Sequence, residues 1–503
     1  MTQVWSDGQA GAGAAERDLD LGQYDPALAG VTVRARRLVQ DTRQLQPGDA
    51  FVALGRPGAP ALPWVQDALS RGAVAVLVDA AAGVTGERVH PVRDLAAVLG
   101  RIADDFTGRP SAGLDIVGIT GTNGKTSISF LLTQAWARLG VPSATVGTLG
   151  AGITGEPRIN MGMTTPQVTT LHQFLDDFRE RGVRSVAMEV SSHALEQGRI
   201  AGVRFGVVAF TNLTRDHLDY HGTMEEYAAQ KAKVFTLPGV HTAVINLDDE
   251  AGLGHFEALP AGVRGIGTSS QAHPDALVRA EDVQLTTSGL AFDLVIGDSR
   301  HAVASPLIGR FNVDNLLIAA AILHVQGVPA EQIAGLIPQL QPVLGRMTRI
   351  QHPGLPLVVV DAGHTPDAVR QSVTALRESG HQRLVVVFGA TGSRDPGKRP
   401  EMAQIVEAAA DLIIVTDDDV HHEDGDAIVA DILAGMANPD AAVVLRDRRE
   451  AIAYAIDHAG PGDVVLLQGK GHEPYQIIGD ERVPFSDLDT AEELLRERAT
   501  PAD

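Results

Sequence analysis

Residues 115–140 read DIVGITGTNGKTSISFLLTQAWARLG, a strand, a glycine turn and a helix in that order. Ile116 to Ile119 is a short apolar run. Ile128, Leu131, Leu132, Ala135 and Leu139 then recur at the 3.6-residue period of a buried helix face, and Gly140 and Pro142 supply the stop. Between them lies Gly121-Thr122-Asn123-Gly124-Lys125-Thr126-Ser127. Backbone N–H groups at a helix start bind anions, Lys125 adds a mobile positive charge, and the Thr126 hydroxyl suits Mg²⁺. The strict phosphate-loop pattern asks for glycine at position 119, which is Ile119, so the loop is a variant tightened around Gly121 and Gly124. The stretch is read as a nucleoside triphosphate site.

Working outward, 503 residues exceed what one core serves, and three domains are expected. Hydrophobic content of 44% and charged content of 21% are those of a globular chain. A net charge of −22 argues against a nucleic-acid surface, so phosphates must be held by local sites. The absence of cysteine removes thiolate metal sites and thiol nucleophiles and suits a reducing compartment. The first residues are Gly/Ala-rich without a basic-then-apolar leader, and no apolar run approaches a membrane span. The expectation is a cytoplasmic protein, without membrane insertion and monomeric, with a disordered tail over 1–24.

Residues 25–113 read as a small α/β unit, with Asp41-Thr42-Arg43 as a turn and Gly108 to Ser111 as a linker. The unit 114–344 repeats apolar strands whose exits carry polar residues, the place where ligands sit in open α/β sheets. One exit delivers Glu189, another Asn212, Asp216 and His217, a third Asn246 and Asp248. Glu189 and His217 are plausible Mg²⁺ partners, although magnesium prefers oxygen. In the helix from Thr223, capped by Thr223 and Glu226, Lys231 falls on the apolar face with Tyr227 and Phe235. It either snorkels to water or stays buried as a neutral amine able to form a carbamate with CO₂. Asn312 and Asn315 open a further helix, as caps or as readers of a base. The unit 345–503 shows four more polar strand exits, around Asp361–Asp367, Arg394–Arg399, Asp417–Asp424 and Gln468–Glu473.

Together these motifs resemble the Mur ligase family, ATP-dependent amide-forming enzymes of peptidoglycan synthesis. The carriers are TGTNGKT (120–126), MTTP (163–166), EVSSHALEQGR (189–199), NLTRDHLDYHG (212–222), the Lys231 helix, GRFNVDN (309–315), GRM (345–347), HTPDA (364–368), RDPGKRP (394–400) and GKGHEPYQ (469–476). The set is most similar to the member that adds a diamino acid to UDP-N-acetylmuramoyl-L-alanyl-D-glutamate. The resemblance implies a small N-terminal α/β uridine-binding domain, a central P-loop ATPase-like domain with a mostly parallel sheet, and a C-terminal Rossmann-like domain. It implies magnesium at Thr126, Glu189, His217 and a carboxylated Lys231, and ATP held by the loop with Asn312, Asn315, Arg346 and Asp361. Thr42, Thr164, Thr165, Ser191, Gln197 and Arg199 match positions that hold the UDP-sugar dipeptide. Arg394, Asp418, Asp419, His421, Gly469 and Glu473 align with the site of the incoming amino acid.

One departure bears on substrate. Asp418-Asp419-Val420-His421 replaces the Asp-Asn-Pro-Arg of enzymes using meso-diaminopimelate, whose arginine grips a distal carboxylate. Acids there favour a distal ammonium, so L-lysine is expected first, L-ornithine next, and meso-diaminopimelate as the alternative. From another class, an ATP-hydrolysing switch protein would share the loop and ligate nothing.

Overall fold

The computed structural model describes residues 15–54, 61–286 and 289–499. Three main sheets follow one another along the chain. The first has four parallel strands, Leu38–Val39, Ala50–Ala53, Ala75–Asp79 and Val89–Val92. The second has ten strands, with Asp115–Thr120 between Ser185–Glu189 on one side and Val207–Phe210 on the other, all parallel. Its far edge ends in the antiparallel strands Ala276–Thr286, Gly289–Ile296 and Ser299–Ser305, which the strand-exit pattern did not anticipate. The third has six strands, and the four apolar runs expected there are its parallel centre: Leu357–Asp361, Val464–Gln468, Leu384–Phe388 and Leu412–Val415. Both faces of these strands are covered, which is why they read as continuous Val/Ile/Leu runs.

The chain order is therefore α/β with mostly parallel sheets, as expected. The tail expectation needs correction. Arg17–Asp20 is a strand paired antiparallel with Thr32–Ala35, and Leu19 and Leu21 are buried. The Arg-Asp-Leu-Asp alternation turns Leu19 inward; residues 1–14 of the expected tail lie outside the described residues. Nor is the stretch from Gly108 a free linker: Pro110 and Ser111 are buried, and the Ser111 hydroxyl accepts from the Arg204 N–H at 3.2 Å. Among the described residues no helix is long and apolar enough to cross a membrane.

Candidate active site

The loop after strand Asp115–Thr120 runs directly into helix Lys125–Arg138. Gly121 (φ +136°) and Gly124 (φ +89°) occupy left-handed backbone, where a side chain is strained. A Cβ on Gly121 would also collide with the Thr211 hydroxyl, and one on Gly124 would lie 2.5 Å from Asn315 Oδ1. The loop is laced to the neighbouring strand exit. Asn123 N–H donates to Asn212 Oδ1 at 2.9 Å, the Thr211 hydroxyl donates to Asn123 O at 2.6 Å, and Thr214 N–H donates to the Thr122 hydroxyl at 3.0 Å. Lys125 Nζ folds back to Gly121 O and Thr122 O, 2.8 Å each, and burial lowers its pKa. Ser127 follows on the same turn.

Because Ser185–Glu189 and Val207–Phe210 flank the loop strand, their exits deliver side chains to one place. Glu189 is buried, accepts from the Thr126 hydroxyl at 3.0 Å, and also accepts from Thr148 N–H and hydroxyl at 3.0 and 2.9 Å. Lys231 is the buried lysine of the two alternatives, not the snorkelling one. Its Nζ donates to Gly121 O at 2.7 Å and sits 4.3 Å over the Tyr227 ring. Burial first, then Lys125, holds its pKa well below the ordinary lysine range, which favours the neutral amine. His217 sits at φ +55° with Asp216 at 3.3 Å; desolvation in the crevice pushes its imidazole down to about 4, opposed by Asp216. Asp216 acts on Lys125, Lys231 and His217 alike, so it is the shared anion of the cluster and was not among the expected site residues. Its place at a strand exit was the available signal.

Thr126 and Glu189 offer hard oxygen donors 3.0 Å apart, a donor set that fits magnesium. Among the described residues no three His, Cys, Asp or Glu side chains cluster as a metal site, so a protein cage there depends on a carboxylate at Lys231.

The dipeptide residues gather beside Glu189. The Thr165 hydroxyl donates to Glu189 O at 2.9 Å, the Thr164 and Thr148 hydroxyls lie 3.2 Å apart, and Ser191 caps helix Ser192–Glu196. Arg199 donates to Gln197 Oε1 at 2.9 Å and Thr165 O at 3.1 Å, while Gln197 Nε2 reaches the Tyr220 hydroxyl at 3.0 Å. Thr42 stands apart in the first unit, in a turn capped by Asp41.

The third unit covers the loop. Asn123 Nδ2 donates to Asp367 Oδ2 at 3.0 Å, and Arg215 lies 3.7 Å from both Asp395 and Glu401. Arg346 acts on Lys125, and His364 and Lys398 feel Asp216, so basic groups of this unit face the loop; burial lowers the pKa of His364 and of Lys398. Asn312 and Asn315 are not caps: both are buried within helix Phe311–Val325, and Asn315 Nδ2 donates to Asn312 Oδ1 at 2.9 Å. Asp361 accepts from Met347 N–H, Gly363 N–H, Ser372 Oγ and Gln468 Nε2 at 2.9–3.1 Å, and thereby ties the start of the unit to two strand exits.

The acidic loop differs from the expectation built on it. Lys470, which is fully buried, sits 2.6 Å from Asp419, 2.7 Å from Glu473 and 3.7 Å from Asp418. Burial alone would lower its pKa, but these carboxylates outweigh it and the net direction is up. Asp417 is paired with Arg446, and Glu423 with the buried Arg399, which holds Glu423 down to about 2. Asp417, Asp419 and Glu423 are each engaged by a cation of this chain, so the loop is not a bare acidic patch waiting for a distal ammonium, and that argument for lysine weakens. Arg394 is exposed, and His421 (φ +52°) is held through its backbone by Ile477 O at 3.1 Å and Gly479 N–H at 2.7 Å. A Cβ on Gly469 would lie 2.8 Å from Asp418 Oδ2.

A strand-exit crevice with a phosphate loop, buried lysine and a covering third unit defines an ATP-using ligase fold, and the comparisons agree. Residues 119–323 match the Mur ligase middle domain and residues 345–471 the Mur ligase glutamate ligase domain. The UDP-N-acetylmuramoyl-L-alanyl-D-glutamate–2,6-diaminopimelate ligase of Xanthomonas campestris pv. campestris is 51% identical over 94% of this chain and 96% of its own length. The ligase of the same name from Pseudomonas aeruginosa is 45% identical over 92% and 95%. A solved structure of a ligase with that name is 32% identical, with a TM-score of 0.69 over 96% of this chain and 99% of that one. The MurF ligase of Thermotoga maritima in complex with ADP shares the fold at 18% identity and a TM-score of 0.63, over 92% and 99%. The chain belongs to the Mur ligase family of ATP-dependent ligases in peptidoglycan synthesis.

Proposed function

We propose that this protein joins 2,6-diaminopimelate, in its meso form, to the D-glutamyl γ-carboxylate of UDP-N-acetylmuramoyl-L-alanyl-D-glutamate, in the cytoplasm and at the expense of ATP. The observation that carries the reading is the convergence of Lys125, Thr126, Glu189 and Lys231 on one phosphate loop faced by cations of the third unit. The names of the similar ligases favour diaminopimelate over lysine and ornithine, and the pairing of Asp417, Asp419 and Glu423 with cations of this chain removes the contrary argument.

The γ-carboxylate attacks the γ-phosphorus of ATP, the bond to the β-phosphate oxygen breaks, and ADP leaves an acyl phosphate. An amine of the diamino acid then attacks the acyl carbon and loses a proton, and phosphate departs. Lys125 and the loop N–H groups hold the phosphates as charge moves between oxygens, and Arg346 and Lys398 oppose the same charge from the third unit. A bound magnesium ion, on Thr126, Glu189, His217 and the carbamate of Lys231, would neutralise phosphate charge. Thr164, Thr165, Ser191, Gln197 and Arg199 orient the dipeptide, Thr42 the uridine end, and Arg394, His421, Gly469 and Glu473 the amino acid. Because no side chain bonds covalently to substrate, positioning supplies most of the acceleration.

The test is ADP release with purified protein, UDP-muramoyl dipeptide and each of meso-diaminopimelate, L-lysine and L-ornithine. ATP turnover that requires both acceptor and meso-diaminopimelate is expected. A higher kcat/KM with lysine would overturn the substrate assignment, and turnover without either acceptor would favour a switch protein.

A further inference from the structure

The segment 157–160 lies along the edge of the central sheet, on a strand of glycines. Ala151 N–H donates to Ile159 O at 2.9 Å and Ile159 N–H donates to Ala151 O at 2.8 Å, an isolated antiparallel bridge. Gly150 and Gly152 allow this approach: a Cβ on Gly150 would collide with Ile159 O, and one on Gly152 would lie 3.2 Å from the Arg158 Cα. The bridge fixes Arg158. Its guanidinium carbon stands 5.4 Å from the centre of the Phe130 ring, one helical turn beyond Thr126. A guanidinium stacked on a ring keeps its N–H donors free at the edge for a planar oxyanion.

Arg158 is half-buried, and Glu189 is the acid whose charge reaches it. Among the described residues it makes no hydrogen bond or ion pair, although Arg179, Arg181 and Arg399 each hold a carboxylate. Arg199, the other guanidinium at this wall, already donates to Gln197 Oε1 and Thr165 O. The D-glutamyl residue brings two carboxylates: with the γ-carboxylate at the phosphate loop, as the ligase reading requires, the α-carboxylate enters along the wall of dipeptide residues gathered on the buried anion Glu189. That approach is repulsive unless a cation offsets it.

We propose that Arg158 is a positioning residue that receives the non-reacting α-carboxylate of the dipeptide substrate and offsets the charge of Glu189 as it enters. This rests on the ligase reading above. The test compares the UDP-muramoyl dipeptide with its analogue carrying D-isoglutamine, in which the α-carboxylate is an amide, on wild type, Arg158→Met and Arg158→Lys, with thermal melting of each protein alongside. Wild type is expected to show a KM at least about tenfold higher for the amide, as loss of a charge-assisted contact predicts. Arg158→Met should raise KM for the acid about tenfold, abolish the acid-over-amide preference, and leave kcat and the KM for ATP within about twofold. Arg158→Lys should recover part of the preference. If Arg158→Met keeps that preference, or melts like wild type while kcat falls and the ATP KM rises as much as the dipeptide KM, Arg158 is only a counter-charge for Glu189 and the inference is overturned. A wild type that ligates neither substrate would instead sink the ligase reading.

Discussion

Lys231 sits where a cation is costly: its amine is buried, stacked on Tyr227 and bonded to a single carbonyl. A neutral amine in that state can take up CO₂ and become the anion that the neighbouring oxygen donors lack. Lys231→Ala is expected to lower ligation at least about a hundredfold, with partial recovery on adding a small carboxylate such as acetate. Incubation with ¹³C-bicarbonate should give a carbamate resonance in wild type and none in the variant; full activity of the variant would remove the carbamate from the mechanism. Lys470 poses the opposite case. Three carboxylates keep it charged although it is inaccessible. Removing the lysine leaves Asp419 buried and unpaired, so Lys470→Met should destabilise the third unit by about 3 kcal/mol, read as a lower midpoint in urea. Stability within error of wild type would mean that the acids are solvated.

At the scale of elements, helix Leu95–Phe106 of the first unit packs on helix Val168–Glu180 of the second, with Gly100 against Ala201. His172 donates from Nε2 to Ala201 O at 2.9 Å, so its Nδ1 is bare in the neutral ring; it faces Asp104 Oδ1 at 3.6 Å, and neither atom has a hydrogen-bond partner. Burial, aided by Asp105 and opposed by Arg109 and Arg204, raises Asp104 from 3.8 to about 6. A raised carboxyl makes the folded state bind a proton that the unfolded chain has released, so this contribution is full below about 4 and is lost as pH rises through about 6. His172 has the opposite slope. Burial lowers its pKa, so its contribution is present above 6.5 and is lost as pH falls below that value. Asp104→Asn puts a donor opposite Nδ1, and it is expected to raise Tm at pH 8 by about 2–4 °C. It should also erase the decline between pH 4 and 6 while keeping the His172 decline; an unchanged profile would show that the pair carries no proton.

For the whole molecule, the third unit joins the second through an apolar seam at Ile308 and Phe311 and, at the phosphate loop, through weak polar contacts. Asn123–Asp367 is a half-buried hydrogen bond, and the Arg215 pairs at 3.7 Å are half exposed, each worth about 1 kcal/mol or less. The polar contacts at the loop break at small cost, as an enzyme that must admit three substrates requires. Asp367→Ala is expected to cut kcat several-fold with little change in ATP affinity measured by calorimetry, and to increase the radius of gyration of the unliganded protein in solution scattering. Equal losses in ATP binding would assign Asp367 to the nucleotide instead.

Much of this was legible in the chain. The glycine turn, the Lys125 helix and the apolar runs of the parallel strands are local patterns, set by φ/ψ demands and by two-sided burial, so the α/β class and the phosphate loop follow from residues 115–140 and the repeats of that design. The capping at Thr223 was legible only in part: its hydroxyl accepts from Glu226 N–H, while its own N–H bonds to His221 O. What the sequence left open were choices between environments. Whether Lys231 reached water, whether Asn312 and Asn315 capped a helix, and whether the acids from Asp417 to Glu423 faced substrate all depended on neighbours far away in the chain. Those neighbours are Gly121, Asn315 across from Gly124, Lys470, Arg446 and Arg399. Only tertiary structure decided them, because a charge is read by what stands against it, and strand order put those partners there.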